Sequence, residues 1–131
     1  MKEKLTRARS SQDLVLEDVR RDPEFRQEWE RTALARAVAL VVVGYRAKHQ
    51  LSQRKLAALL EWKPSQVARL ELGEHNPSLE TLIYLSQRVG LRLMLTINPA
   101  GRRRIGARPA KGNVVHEGDA DGSHLLVAVG T

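Results

Sequence analysis

The chain has 131 residues and no cysteine, which excludes disulfide bonds, thiolate zinc sites and cysteine nucleophiles. Aromatic residues are scarce, with two tryptophans, two tyrosines and one phenylalanine. No apolar run approaches the roughly 20 residues that a membrane-spanning helix needs, and the first residues lack the apolar core of a secretory signal. We therefore expect a small cytoplasmic protein without a membrane partner.

Acidic residues are missing from one long stretch. Between positions 32 and 60 the sequence has no aspartate or glutamate, but it has Arg36, Arg46, Lys48, Arg54 and Lys55. The net charge of the chain is +7, and a second basic cluster lies within residues 102–111. Localised positive charge is expected on a surface that binds nucleic-acid phosphates. A solvated basic face without any ligand explains the charge alone equally well.

Capping residues and helical periodicity predict two helices before position 50. Ser10 begins a capping pattern for a short helix that ends near Asp22. Asp22 is a suitable N-cap and Pro23 a suitable first residue for a second helix, which the periodicity extends to about His49. Within it, residues 39–43 are apolar on all sides. This helix is expected to bury two faces, either in a core packed from both flanks or against a partner.

Three shorter helices follow, bounded by capping serines, a first-position proline and terminal glycines. They are predicted over residues 53–60, 64–72 and 79–89. Residues 91–97 alternate between apolar and other side chains with period two, which predicts a β-strand. Residues 98–131 hold most of the chain's nine glycines and are expected to be mostly flexible. Short strands at 114–115 and 125–129 are an alternative within this segment.

The helices over 53–60 and 64–72, joined by the turn 61–63, form a helix-turn-helix pattern. Ala57 is small where the two helices must approach closely, and Val67 anchors the second helix in the core. This arrangement leaves Ser65, Gln66 and Arg69 on the outer face of the second helix. From that face, side chains can enter the major groove of DNA.

Several groups of residues then agree with one known family. They are Leu51-Ser52-Gln53, Leu56-Ala57, Ser65-Gln66-Val67-Ala68-Arg69-Leu70-Glu71, Gly73 and Asn76-Pro77-Ser78-Leu79-Glu80-Thr81-Leu82. With them, the stretch from about 36 to 97 resembles the XRE group of helix-turn-helix regulators, the family of the Cro and lambda-type repressors. The resemblance implies an all-α fold, a compact lambda-repressor-like bundle with an N-terminal helical extension, a short β-strand after the last helix and a flexible C-terminal tail.

The resemblance also implies an organisation and a partner. It divides the chain into an N-terminal helical extension at 1–31 that is a candidate for binding a partner, a DNA-binding domain at 32–97 and a Gly/Arg-rich tail at 98–131. The implied partner is double-stranded operator DNA, bound by a homodimer. The tail cluster within 102–111 is a further candidate for DNA contacts or is simply solvated.

Residues on both helices of the motif acquire roles from the resemblance. In the family, the first of the two helices begins with a glutamine whose side chain and backbone amide hold a phosphate, and Gln53 matches it. Arg54 lies beside it and is expected to hold phosphate too. The base-contacting positions include Ser65, Gln66 and Arg69. By the usual geometric matches, Gln66 would pair with adenine and Arg69 with guanine.

A further pair and three departures complete the comparison with the family. Arg46 and Glu71 match two residues that form a structural salt bridge in some members, so their implied role is stability. Glu61 stands where the family usually has a glycine, and it is strained if its φ is positive. Lys63 replaces the usual serine or threonine cap and is a candidate for a phosphate contact. Pro64 stands where the family often has a glutamine, so one base-contacting side chain is missing.

A narrower resemblance lies upstream of the bundle. Asp22-Pro23-Glu24-Phe25-Arg26-Gln27-Glu28-Trp29, followed by a long helix and the XRE-like domain, is similar to antitoxins of type II toxin–antitoxin pairs of the HigA kind. This implies a repressor of its own promoter that also neutralises a RelE/HigB-like toxin, which cleaves mRNA during translation. An ordinary capped helix in front of a stand-alone XRE-family regulator is the alternative interpretation.

Other kinds of chemistry find little support. The four histidines show no helical pair spacing, and no phosphate-binding loop or nucleophile elbow is present, so we expect no enzyme. Residues 116–124 gather five possible metal ligands, but their glycine-rich setting favours a solvated loop, and we expect neither a metal nor a cofactor. A module that binds only protein is the remaining alternative. The absence of acidic residues between 32 and 60 argues against it.

Overall fold

The computed structural model describes residues 10–99, 101, 108–120 and 122–130. Within these ranges the chain forms six α-helices and three β-strands. They are α1 (Ser11–Arg21), α2 (Pro23–Arg31), α3 (Ala33–His49), α4 (Gln53–Leu60), α5 (Pro64–Leu72), α6 (Leu79–Val89), β1 (Leu93–Pro99), β2 (Val114–Ala120) and β3 (Ser123–Val129), with a short 3-10 turn at Lys111–Asn113. None of these helices combines the length and apolar character that crossing a membrane requires.

The bounds predicted for the three short helices are confirmed in the structure. Ser52 Oγ accepts a hydrogen bond from the Lys55 N–H at 3.1 Å, and Ser78 Oγ accepts one from the Thr81 N–H at 3.2 Å. Each hydroxyl satisfies one of the N–H groups that a helix start leaves unpaired. Gly73 ends α5 with a φ of 66°, a conformation that glycine adopts without strain.

The single helix predicted over residues 23–49 is wrong, because the structure has two helices separated at Thr32. In an unbroken helix the N–H of Ala35 would bond to the carbonyl of Arg31. The side chain of Asn76 bonds to both groups instead. Its Oδ1 accepts from the Ala35 N–H at 3.0 Å, and its Nδ2 donates to the Arg31 carbonyl at 2.8 Å. A side chain inserted into the hydrogen-bond ladder therefore breaks the helix.

Helix α3 lies between two apolar cores. One side of it joins the core of the helical bundle, which consists of Val38, Val42, Leu56, Ala57, Leu60, Val67, Leu82 and Leu85. Its N-terminal part presents Ala33 and Ala37 to the sheet, where they cluster with Leu125 and Val127 of β3. Small side chains on the helix let the sheet approach closely. The two-sided burial predicted for this helix is confirmed, with a core on each flank, but the sheet-side core forms at Ala33 and Ala37, whereas Leu40 and Val43 of the apolar stretch 39–43 are exposed.

The expectation of an all-α fold with a mostly flexible C-terminal tail is wrong for the described residues. The three strands form an antiparallel sheet in the spatial order β1, β3, β2. The residues from Leu125 to Ala128 in the central strand are all buried. Because a strand buried on both faces has a continuous apolar run, it lacks the alternation that identifies a half-buried strand. The sequence therefore indicated only short strands as an alternative.

Two smaller expectations also change. The strand predicted over 91–97 is observed at Leu93–Pro99, because its bounds follow the pairing with β3, which runs from Leu93 opposite Val129 to Pro99 opposite Ser123. Residues 116–120 and 122–124 of the segment expected to be a solvated loop belong to the hairpin of β2 and β3. Among the described residues, no group of three or more histidine and acidic side chains is arranged to hold a metal ion.

Candidate nucleic-acid interface

The turn between α4 and α5 is closed without a glycine. Glu61 ends α4 with a φ of 57°, the left-handed conformation considered for this position in the sequence. The Trp62 N–H donates to the Ala57 carbonyl at 2.8 Å. The indole of Trp62 stacks on the Tyr84 ring of α6, with ring centroids 5.7 Å apart. These contacts fix the path of the chain into α5.

The residues predicted to contact bases lie on the exposed side of α5. Ser65, Gln66 and Arg69 are exposed, whereas Val67 is fully buried in the helical core. Spacings of three and four residues place the exposed side chains on one face of the helix. Arg69 forms no hydrogen bond or ion pair with any residue that the structure describes. Its guanidinium is therefore available to an outside acceptor.

Gln66 differs from its neighbours because its amide oxygen is already bonded. The Lys63 N–H donates to Gln66 Oε1 at 2.8 Å, and the Gln66 N–H donates to the Lys63 carbonyl at 2.9 Å. Lys63 is the N-cap of α5 and makes no side-chain capping bond. A glutamine at the third helical position is a known partner of an N-cap backbone N–H, so this bond had a signal in the sequence that our prediction did not use.

A buried ion pair anchors the start of α4. Arg46 Nε donates to Glu71 Oε1 at 2.9 Å, and the Glu71 side chain is only 7% exposed. The other carboxylate oxygen of Glu71 accepts a bond from Gln53 Nε2 at 2.9 Å. The pair expected to stabilise the fold thus also holds Gln53, the residue expected to contact phosphate. Three elements, α3, α4 and α5, are connected through this one carboxylate.

The acid-free stretch contributes fewer surface charges than its composition suggests. Arg46 is engaged with Glu71, and the Arg36 guanidinium lies 3.5 Å from the Trp29 ring centroid. The remaining three basic residues are exposed and lie near the start of α4 or at the end of α3: Lys48, Arg54 and Lys55. A helix N-terminus carries a partial positive charge and free N–H groups, so Arg54 and Lys55 lie where an anion is favoured.

A shallow groove lies beside the exposed face of α5. It has a volume of about 260 Å³ and is lined by Trp62, Gln66, Arg69, Leu70, His75, Asn76, Pro77 and Thr81. The groove connects two of the predicted base-contacting residues with the loop before α6. Asn76 lines this groove and is also the residue whose side chain breaks the helix at Thr32.

A cluster on the sheet side of α3 was not found from the sequence. Burial lowers the pKa of Arg36, whose Nη1 donates to Thr32 Oγ1 at 2.8 Å. His116 Nε2 is buried and has no hydrogen-bond partner among the described residues. Burial lowers the pKa of His116, and the charges of Arg36 and His124 lower it further. These side chains belong to the contact between helix and sheet rather than to the face on α5.

The C-terminal basic cluster is only partly described. Arg102, Arg103 and Arg104 lie outside the described residues, as does Asp121, one of the five possible metal ligands within 116–124. Arg108 pairs with Glu117 of β2 at 2.7 Å. At least one cation of the cluster is thus neutralised within the sheet region.

Two short helices joined by a tight turn, with a polar exposed face on the second, define a helix-turn-helix. Residues 45–93 match the protein-family model described as Helix-turn-helix, which covers the end of α3 and all of α4 to α6. The match supports a DNA-binding regulator of the XRE type. No curated protein and no solved structure shows significant similarity to the chain.

Proposed function

We propose that this protein is a sequence-specific DNA-binding transcriptional repressor. The observation that carries the proposal is the exposed face of Ser65, Gln66 and Arg69 on a helix whose opposite side is buried. In this arrangement α5 enters the major groove, and its side chains contact base edges. Such a repressor acts where the chromosome is, so the proposal includes a cytoplasmic, nucleoid-associated location.

Phosphate contacts flank the proposed base contacts. Gln53 is oriented by Glu71 at the first position of α4, and Arg54 follows it on the surface. Lys63 is exposed at the other end of the turn, one residue before α5. Contacts on both sides of a recognition helix fix its register on the duplex without selecting a sequence.

The test is an electrophoretic shift of the purified protein on its own upstream DNA and on scrambled DNA, at two salt concentrations. Arg69→Ala should weaken binding to the upstream DNA by about 1 to 3 kcal/mol, with little change on scrambled DNA. Arg26→Ala is a matched control, because Arg26 lies on α2 and pairs with Glu30. Equal loss on both DNAs for Arg69→Ala would remove that residue from base recognition. A folded protein that binds no DNA at low salt would favour the protein-interaction module.

The homodimer is a second part of the proposal, and the two edges of the sheet support it. The edge strand β2 has a register shift before His116 and carries Glu117 and Asp119, features that discourage further pairing. The edge strand β1 has no charged residue, and it exposes Leu95 and Ile97. Two copies of β1 paired antiparallel form a symmetric contact, as a dimer on two half-sites requires.

Sedimentation of two surface variants tests this dimer. Ile97→Lys should give a monomer, because it places a charge on the proposed contact. Leu79→Lys changes a residue of similar exposure on α6 and should leave the dimer intact. The opposite pattern would assign the interface to α6. A monomeric wild-type protein at all concentrations would contradict the dimer altogether.

The antitoxin function is the narrowest part of the proposal. It is supported by an apolar groove of about 530 Å³ between α1 and the end of α5, which includes the exposed side chains of Leu16, Leu40, Val43 and Leu72. Most of these residues lie outside the matched helix-turn-helix segment. In this proposal the groove binds a RelE/HigB-like toxin.

Co-expression with the product of the adjacent gene tests the antitoxin function. A stable complex should form and should be lost in Leu40→Asp but kept in Leu79→Asp, which alters a comparably exposed leucine elsewhere. Both variants should still bind the upstream DNA. If no neighbouring product binds or inhibits translation, the protein is a stand-alone regulator of the XRE type.

A further inference from the structure

We propose that Gln66 recognises operator bases only as a hydrogen-bond donor. It would accept any base that presents an acceptor in the major groove and would reject cytosine, instead of selecting adenine through two bonds. The inference rests on the proposed DNA-binding function and makes it more specific. It follows from how the start of α5 is built.

The start of α5 lacks a residue that can cap it with its own side chain at the N-cap position. The residue at the N-cap of α5 is Lys63, whose side chain has no acceptor, and Pro64 at the first helical position has no N–H. The Lys63 N–H is satisfied by Gln66 Oε1 at 2.8 Å. If Gln66 released this bond when DNA covers the turn, a backbone N–H would lose its partner in a dehydrated interface, which is unfavourable. The amide oxygen is therefore retained at the helix start.

The carboxamide of Gln66, held in this way, offers DNA a hydrogen-bond donor. A two-bond contact with adenine needs both the oxygen and the nitrogen of the carboxamide along one base edge. In Gln66 the Lys63 N–H takes one lone pair of the oxygen and directs that oxygen toward the helix start, so the Nε2 amino group is the part of the carboxamide left for a base edge. No described residue accepts a hydrogen bond from this amino group. A glutamine held in this way is a directed donor.

Three of the four bases can accept a hydrogen bond from such a donor. In the major groove, guanine presents N7 and O6, adenine presents N7, and thymine presents O4, whereas cytosine presents only its amino group. The expected preference at the position that Gln66 contacts is therefore the exclusion of one base. Arg69 lies on the same face one turn later, and it remains the residue expected to select guanine.

The experiment is an in vitro selection of DNA sites with the full-length wild-type protein and with Gln66→Glu. Glutamate keeps an oxygen for the Lys63 N–H, and it replaces the outward donor by an acceptor. At one position the wild type should accept adenine, guanine and thymine and exclude cytosine. At that same position Gln66→Glu should enrich cytosine and adenine, which present amino groups, at the expense of guanine and thymine, and it should leave the other positions unchanged. Relative preference is the readout, because the added negative charge lowers affinity for all DNA.

A second experiment uses base analogues at that position of a selected site. Replacing adenine by purine, which lacks the 6-amino group, should change wild-type affinity by less than about threefold, whereas 7-deazaadenine should reduce it by about tenfold. Arg26→Ala serves as the control, because Arg26 lies on α2, pairs with Glu30 and leaves the Gln66 contact in place. It should show the same response to both analogues as the wild type.

The outcomes separate this inference from the proposed function. A wild type that selects only adenine and loses tenfold affinity with purine would overturn the donor-only assignment. A site preference that Gln66→Glu leaves unchanged would show that Gln66 contacts no base. Both results keep the DNA-binding function. A wild type that selects no sequence would overturn the proposed function itself, and this inference with it.

Discussion

The helix-turn-helix segment and the region around it differ in where their structure is determined. In α4 to α6, most helix boundaries lie at residues that themselves favour them, such as Ser52, Pro64 or Gly73, whereas Glu61 at the end of α4 does not. Around the junction of α2 and α3, the boundary is made by Asn76, more than 40 residues away in sequence. The sheet likewise depends on β3, which joins β1 and β2. Neighbouring residues thus determine the structure of the proposed DNA-binding unit, and contacts between residues distant in sequence determine the structure of the region around it.

Gly73 connects the two regions, and its substitution should have the largest effect. It ends α5 with a φ of 66°, and a Cβ added there would lie 3.2 Å from Arg36 Cα in α3. Gly73→Ala should therefore lower the free energy of unfolding by about 1 to 3 kcal/mol, from a left-handed alanine and from crowding between helices. Chemical denaturation followed by circular dichroism measures the change.

Gly44→Ala is the matched control for this substitution. Gly44 lies within α3, and apart from its chain neighbours and the backbone of its own helix no described atom lies within 4 Å of an added Cβ. Alanine should raise the free energy of unfolding there by about 0.5 to 1 kcal/mol, because glycine is unfavourable inside a helix. The two substitutions should have opposite signs. A loss at both positions would mean that the close approach to Arg36 is not what makes Gly73 necessary.

Asn76→Ala tests the distant determinant directly, with the next largest effect. The variant removes both bonds to the α2–α3 junction and leaves the buried N–H of Ala35 without its partner. We expect a loss of about 1 to 2 kcal/mol and faster hydrogen exchange of the Ala35 amide. Unchanged stability with a protected amide would mean that Ala35 bonds to Arg31 and that α2 and α3 join into the single helix that the sequence predicted.

The sequence prediction was accurate where neighbouring residues determine the structure and incomplete where distant contacts determine it. The bounds of α4 to α6 and the exposed face of α5 were predicted, because capping residues and apolar spacing are properties of neighbouring residues. The break at Thr32 was not, since no local residue marks where the Asn76 carboxamide inserts. The central strand was suggested only in part, because burial on both faces removes its alternation. In the site, the contact of Glu71 with Gln53 emerged only from the structure, whereas the bond between Lys63 and Gln66 had a signal in the glutamine at the third position of α5 that the prediction did not use.

Glu61 ends α4 in a backbone conformation that its residue type disfavours, so its substitution measures the stability cost of that mismatch. Its φ of 57° is unfavourable for a residue with a Cβ, and its side chain pairs with Arg88 at 3.1 Å on the surface. Glu61→Gly relieves the backbone and loses the ion pair, whereas Glu61→Ala loses only the ion pair. We therefore expect Glu61→Gly to be more stable than Glu61→Ala by about 1 kcal/mol in thermal or urea unfolding. Equal stabilities would mean that the turn adjusts without strain.

The smallest effect concerns acid sensitivity, which we expect to arise on the sheet side rather than in the helix-turn-helix. Burial, then the charges of Arg36 and His124, lower the pKa of His116 below its ordinary value of 6.5. The unfolded chain therefore binds a proton near pH 6.5 while the folded chain does not. The stability that neutral His116 contributes is complete above this pH and is lost as the pH falls below it.

His116→Gln removes the titrating group and should flatten this part of the pH profile. Between about pH 8 and about pH 5, the free energy of unfolding should fall more for the wild type than for the variant. Hydrogen exchange at the lower pH should increase first in β2 and β3, while α4 to α6 stay protected, because the added charge lies beside Arg36. Parallel pH profiles would contradict the assignment to His116. Early exchange in α4 would show instead that the two regions open together. The helix-turn-helix segment would then not be stable independently of the sheet and the α2–α3 junction, although neighbouring residues determine its helix bounds.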